Sequence, residues 1–161
     1  MNNINIYLVN YQNLNFVQNY QKYFKYLSKK EINKIKNNAV LDQVRSIVGL
    51  LFIKGFAAKN NFKLNLQKNK YGKPYLIDKN FYFNISHSNE ITVIGISNND
   101  LGIDLEYIEK ESLTFYKDWT TKESFFKLIG KGLSMYNDKY EINFDNNQIL
   151  YKNKNYYFKN Y

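Results

Sequence analysis

Residues 119–133 read WTTKESFFKLIGKGL, and the reading of this stretch decides how the rest of the chain is arranged. The spacing predicts a helix from Thr120 or Thr121 to about Leu128, stopped by Gly130 and Gly132, since glycine readily takes the left-handed conformation that ends helices. Four residues separate Glu123 from Lys127, so a carboxylate and an ammonium stand one turn apart on one face. Phe125, Phe126 and Ile129 are left to pack. Thr120 followed by Glu123 has the form of a capping box, and Glu123 with Lys127 that of a surface ion pair, so the stretch alone demands no chemistry.

Composition limits what the helix can serve. A chain of 161 residues, 44% hydrophobic, can bury one sizeable core or two small fused ones. Its 23 Lys and Arg against 14 Asp and Glu give a formal charge of +9. Such a surface draws nucleic acid, an anionic cofactor or an acidic protein, without choosing among them. No segment approaches a membrane span, and the opening MNNINIYLVN lacks the basic-then-apolar layout of a signal peptide, so a cytoplasmic protein is expected. The absence of cysteine excludes disulfides and thiolate chemistry, and a single histidine excludes a multi-histidine metal site. A metal here would be hard and bound by oxygen.

Upstream, Ile4 to Val9 predicts a strand and Phe16 to Leu27 an aromatic-rich helix. Ser28 with Glu31 forms a capping box that opens a short basic helix carrying Lys29, Lys30, Lys34 and Lys36. Charged helices usually face solvent, though clustered lysines also suit a phosphate. From Ala39 to Ala58, Val40, Leu41, Val44, Ile47, Val48, Leu51 and Phe52 form a stripe of helical period, with Arg45 off it and free for solvent or ligand. Gly72 and Pro74 in YGKPYL predict a fixed, non-helical loop from which Lys73 projects. Phe81 to Ile85 reads as a strand ending in Ser86-His87-Ser88, which sets the one imidazole between two hydroxyls. Ile91 to Ser97 and Leu101 to Ile108 read as two further strands, joined through Asn98, Asn99 and Asp100, with Gly95 and Gly102 allowing close backbone approach.

In LGIDLE, alternation turns Ile103 and Leu105 one way and Asp104 and Glu106 the other. Two residues along a strand separate the carboxylates by about 7 Å, close enough for both to serve one magnesium ion whose shell is completed by water. A wet acidic strand face would look the same.

Taken together, YGKP, FNISHS, LGIDLE and WTTKESFFKLIGKGL occur in the order and approximate wording of the 4'-phosphopantetheinyl transferases of the surfactin-synthetase-activating type, which the chain resembles. The chain resembles that family from about Ser28 to Leu133, including the weaker Asp42-x-x-Arg45 pattern. The resemblance implies an enzyme that moves the phosphopantetheine arm of coenzyme A to a serine of an acyl or peptidyl carrier protein, with magnesium as cofactor and adenosine 3',5'-bisphosphate as product. It implies that Asp104 and Glu106 hold the metal, and that Glu123 joins them as ligand or acts as base. Lys127 would meet the reacting phosphate; Ser86 and His87 would bind the phosphates. Gly72, Lys73 and Pro74 would lie against the adenosine end, and Arg45 and Lys34 would assist at the cofactor. The implied fold is α+β, two pseudo-symmetric halves at about 1–95 and 96–161 with the cofactor between them, forming one transferase unit that works as a monomer. Tyr140 to Asp145, Gln148 to Lys152 and Tyr156 to Lys159 read as strands able to complete the second half.

The chain departs from the family at two points. Only residues 107–118 separate Glu106 from Trp119, where a longer helical segment is usual, and Leu41 stands before Asp42 where a basic residue is common, leaving Lys30, Lys34 and Lys36 as alternatives for the 3'-phosphate. The rival classes are a small basic nucleic-acid-binding protein, for which the chain offers no recognisable motif, and a non-catalytic relative of the transferase fold. Acidic carriers would suit the +9 charge through long-range attraction.

Overall fold

The computed structural model describes residues 4–12 and 15–161. Strand β1 (Ile4–Asn10) is followed by a single α-turn, α1 (Phe16–Asn19), which passes into a 3₁₀ helix at Tyr20–Tyr26. The regular helix expected over Phe16 to Leu27 is thus broken up: no side chain caps either piece, and its aromatic residues are weak helix formers. Helix α2 (Lys29–Ile35) starts at the capping box read from the sequence, with Glu31 N–H donating to Ser28 Oγ and Ser28 N–H to Glu31 Oε2 at 2.7 Å. Helix α3 (Val40–Lys59) buries Val44, Ile47, Val48, Ile53 and Ala57 along its stripe. Lys54 on α3 reaches Glu31 at 2.7 Å, which ties the two helices together.

Short strands β2 (Leu66–Lys68) and β3 (Pro74–Leu76) pair around the Gly72 turn. Strands β4 (Tyr82–Ser88) and β5 (Ile91–Ser97) then join β1 in an antiparallel sheet of order β1-β5-β4. One face of this sheet packs on α3, where Ile94, Ile96, Phe81 and Phe83 meet Ile53 and Ala57. Because β5 pairs with β1 and β4 through Ser97, it belongs wholly to this first sheet, and a division at 95/96 would cut a strand.

The second sheet is β6 (Glu141–Asn143), β7 (Gln148–Tyr151) and β8 (Lys154–Tyr157), close to the strands expected. It packs beneath helix α4 (Leu113–Ile129), burying Phe125, Phe126, Met135, Ile149 and Tyr151. The architecture is mixed α and β, with separate cores on either side of the chain between Ser97 and Leu113.

Two expectations are corrected here. Helix α4 begins at Leu113, not Thr120: Ser112 is its N-cap, accepting from Phe115 N–H at 3.2 Å, and Thr120 lies in the interior with its hydroxyl donating to Tyr116 O at 2.8 Å. Thr120 and Glu123 therefore form no capping box. Residues 101–108 are not a β-strand either. The chain is drawn across the open face of the sheet rather than along its edge: a Cβ on Gly95 would lie 2.5 Å from Leu101, and one on Gly102 would lie 1.8 Å from the Ser124 carbonyl oxygen. A chain held between a sheet face and a helix backbone has no neighbouring strand to pair with.

Candidate functional site

Residues 101–109 run along α4 from its C-terminal end toward its start, and side chains supply what a ladder would. Asn84, Ser86 and Ser88 alternate on β4 and so share a face. Asn84 Oδ1 accepts from Ile103 N–H at 2.9 Å, and Ser88 Oγ accepts from Tyr107 N–H at 3.0 Å. Between them Ser86 Oγ donates to Asp104 Oδ1 at 2.8 Å. Further along, Glu109 N–H donates to the Tyr116 hydroxyl at 3.1 Å.

Helix α4 presents Trp119, Glu123 and Lys127 at intervals of four residues, hence on one stripe facing this segment. The Lys127 ammonium donates to Ser86 Oγ at 2.8 Å and to Asp104 Oδ1, with which it forms an ion pair. The Asp104 side chain is 4% exposed, and its Oδ2 is buried with no hydrogen-bond partner. Trp119 Nε1–H donates to Glu106 Oε1 at 3.3 Å, and the Tyr136 hydroxyl to Glu123 Oε1 at 3.3 Å. The spacing of four puts Glu123 one turn from each neighbour, with Asp104 at one end of the stripe and Glu106 at the other. Among the described residues no three His, Cys, Asp or Glu side chains gather closely enough to hold a metal ion.

The other candidates lie around this seam with different engagements. Lys73 does not project: its ammonium donates to Leu128 O at 2.9 Å and Leu101 O at 3.4 Å, and pairs with Asp100 at 3.5 Å. Burial holds its pKa below the usual lysine value, against the raising influence of Asp100. Gly72 has φ +93°, the conformation a turn at this point needs, and Pro74 opens β3. Together with Asn69, whose Nδ2 donates to Gly130 O at 2.7 Å, this loop is clasped to the end of α4. A cavity of about 220 Å³ opens beside the clasp, lined by Lys73, Pro74, Leu76, Phe81, Asp100 and Leu128 among others.

Arg45 is not free either. It donates to the Asn89 carbonyl at 3.1 Å and to Asp42 at 3.0 Å, anchoring the β4–β5 turn to α3. Strand β4 ends in Ser86-His87-Ser88, as expected, and its alternation leaves His87 on the opposite face from Ser86. Partial desolvation of its ring, although the residue is exposed, and the nearby Arg45 cation hold the His87 pKa below the ordinary histidine value. Lys30, Lys34 and Lys36 stand exposed on and just after α2.

Sequence reasoning passed over Asn84, Ser88 and Tyr136. Alternation within FNISHS was a signal for the first two, since it sets Asn84 and Ser88 on the face of Ser86. Tyr136 carried none, because its approach to Glu123 depends on the 3₁₀ helix Gly132–Asn137 folding back on α4.

The chain is 32% identical to the 4'-phosphopantetheinyl transferase gsp of Aneurinibacillus migulanus, over 70% of this chain and 60% of that protein. It is 26% identical to the 4'-phosphopantetheinyl transferase Sfp of Bacillus subtilis (strain 168), over 63% of this chain and 58% of that protein. A third relative, a 4'-phosphopantetheinyl transferase of Bacillus subtilis, is 28% identical over the same shares. The chain is a relative of the 4'-phosphopantetheinyl transferases. It spans about three fifths of the length of the curated relatives it matches. No family model matches it. Among the described residues no helix is long and apolar enough to cross a membrane.

Proposed function

We propose that the protein transfers the 4'-phosphopantetheine arm of coenzyme A to a serine of an apo carrier protein, acyl or peptidyl, in a magnesium-dependent reaction. Asp104 is the observation that carries this reading. Its carboxylate is clamped through one oxygen by Lys127 and Ser86, while the other is buried and unpartnered. A buried polar atom of this kind is costly unless a partner arrives, and a hard carboxylate oxygen suits magnesium. Asp104 therefore fits the ion, and Glu106 and Glu123 would join it on giving up Trp119 and Tyr136.

Bound there, magnesium would offset the charge that builds on a pyrophosphate ester under attack. The residues of the chain do the rest. Lys127, already directed at Asp104, supplies a fixed cation for the reacting phosphate. As the carrier serine Oγ bonds to the pantetheine phosphorus, the bridging oxygen of the pyrophosphate departs with adenosine 3',5'-bisphosphate. The serine proton passes to Glu123 acting as base, or to water if Glu123 serves only as ligand. Ser86 and His87 assist at the phosphates, and Gly72, Lys73 and Pro74 lie by the adenosine end beside the cavity. Arg45 and Lys34, with Lys30 and Lys36, are candidates for the 3'-phosphate. In this reading the cofactor lies between two halves of a cytoplasmic monomer, and the +9 charge draws acidic carriers.

The test is incubation with coenzyme A, magnesium and a panel of apo carriers, each read by intact mass. A gain of one phosphopantetheine arm, lost with EDTA and in Asp104→Ala, is expected. Coenzyme A binding with no transfer to any carrier would identify a non-catalytic relative instead, and binding of nucleic acid without coenzyme A would overturn the family reading of the site.

A further inference from the structure

We propose that Asn84 and Ser88 are positioning residues that set the placement of Asp104 and Glu106, an inference that rests on the transferase reading above. The two carboxylates stand on a stretch with no backbone ladder, so nothing in the secondary structure fixes how far apart they lie or how they face α4. Two side-chain oxygens do it instead. Asn84 and Ser88 are four residues apart on β4, and the N–H groups they accept from, Ile103 and Tyr107, are four residues apart on the segment. The β4 span is extended chain at about 3.3 Å per residue, and the two anchors fall in the same order along both stretches.

Each anchored N–H lies next to a carboxylate residue. Ile103 precedes Asp104, and Tyr107 follows Glu106. The stretch between the anchors therefore holds both proposed ligands, like a strut pinned at its ends. Asn84 is 5% exposed, so its acceptor is sheltered from the water that would compete for the N–H. Ser86 cannot take over this role, because its hydroxyl is spent on the Asp104 and Lys127 side chains rather than on the backbone. Orienting groups of this kind around metal ligands typically change metal affinity by about 10–100-fold when removed.

The experiment uses manganese as a spectroscopic probe for the magnesium site, titrated by electron paramagnetic resonance into the whole protein with coenzyme A present. Ser88→Ala removes one acceptor with little loss of volume, and Asn84→Leu removes the other. Each is expected to weaken manganese binding by about tenfold and to raise the metal concentration needed for half-maximal transfer, with the rate at saturating metal less affected. Ser88→Thr keeps the oxygen and is expected to restore binding, which a loss of packing alone would not. Manganese affinity unchanged within about twofold in both variants, while Asp104→Ala abolishes it, would overturn the positioning role and leave the transferase reading standing. If the unaltered protein binds no manganese with coenzyme A present, both ideas fall together. Should Asn84→Leu fail to fold, Ser88→Ala with its Thr rescue decides the matter alone.

Discussion

Strand β5 and the stretch from Leu101 to Ile108 look alike as sequences, each a short apolar-rich run containing a permissive glycine, yet they are held in different ways. β5 is paired on both sides over its full length, and its side chains fill the core between sheet and α3. Residues 101–108 have a sheet face on one side, the backbone of α4 on the other, and side-chain oxygens for anchors. A ladder fixes a strand through many equivalent bonds, so losing one costs little in placement. The second stretch has a few distinct attachments, and the carboxylates proposed for the chemistry sit on it. Placement of the site therefore depends on a small number of named groups, whereas the stability of the sheet is spread widely.

Substitutions should separate the two regions, most sharply at glycine. In Gly102→Ala the new Cβ would fall 1.8 Å from Ser124 O and 2.5 Å from Leu128 N, both backbone atoms that cannot step aside. Transfer is expected to fall at least about 100-fold, since misplacing catalytic groups by an ångström has effects of that size. Gly55→Ala, on the exposed side of α3 with nothing within 4 Å, should instead stabilise the protein by about 1 kcal/mol in urea unfolding. An unchanged transfer rate in Gly102→Ala would break the comparison.

A second pair sets core against seam. Ile94→Ala in β5 empties a fully buried position and should cost about 3 kcal/mol of stability, with metal binding by the folded molecules unchanged. Lys127→Met leaves Asp104 buried without its cation and should cost about 3 kcal/mol while also abolishing transfer. Calorimetry with the manganese titration distinguishes them, and a loss of metal binding in Ile94→Ala would show that the sheet and the site are not separable.

Smaller effects are expected at Lys73 and His87. Lys73→Met removes the ammonium from the Leu128 and Leu101 carbonyls and should lower stability by about 1–2 kcal/mol. The His87 pKa lies below its ordinary value, so between the two values the unfolded chain holds more protons and stability rises with pH through that window. A bound phosphate acts oppositely, raising the His87 pKa, so coenzyme A binding should take up a proton and tighten as pH falls through the interval between the free and bound values. Calorimetric titration at several pH values should show that slope, and His87→Gln should flatten it.

Much of this was legible in the sequence because it is local. The Ser28–Glu31 capping box, the stripe of α3, the glycine stop of α4 at φ +75° and the tail strands all follow from spacing over a few residues. The meeting of Lys127, Asp104 and Ser86 follows from no periodicity, since no local rule brings residue 86 to residue 127. What escaped were tertiary competitions. Period-two alternation at 101–108 reports which faces are wet or dry and says nothing of whether a partner strand exists. Thr120 has the residue type and the Glu three places on that a capping box needs, but Ser112 starts the helix two turns earlier and leaves Thr120 in its interior. Sequence shows the charges of Lys73 and Arg45 but not the carbonyls of Leu128, Leu101 and Asn89 that claim them.

The clasp at the end of α4 has one more consequence. Asn69 and Lys73 grip the Gly130 and Leu128 carbonyls, and a Cβ on Gly130 would lie 3.0 Å from both side chains. The helix is thus indexed from its stop, and Lys127, Glu123 and Trp119 are counted backward from a fixed zero. Turns added or removed before Trp119 leave that count untouched. The connection between the Tyr107 anchor and Trp119 can therefore change length without changing the phase of the stripe that faces Asp104.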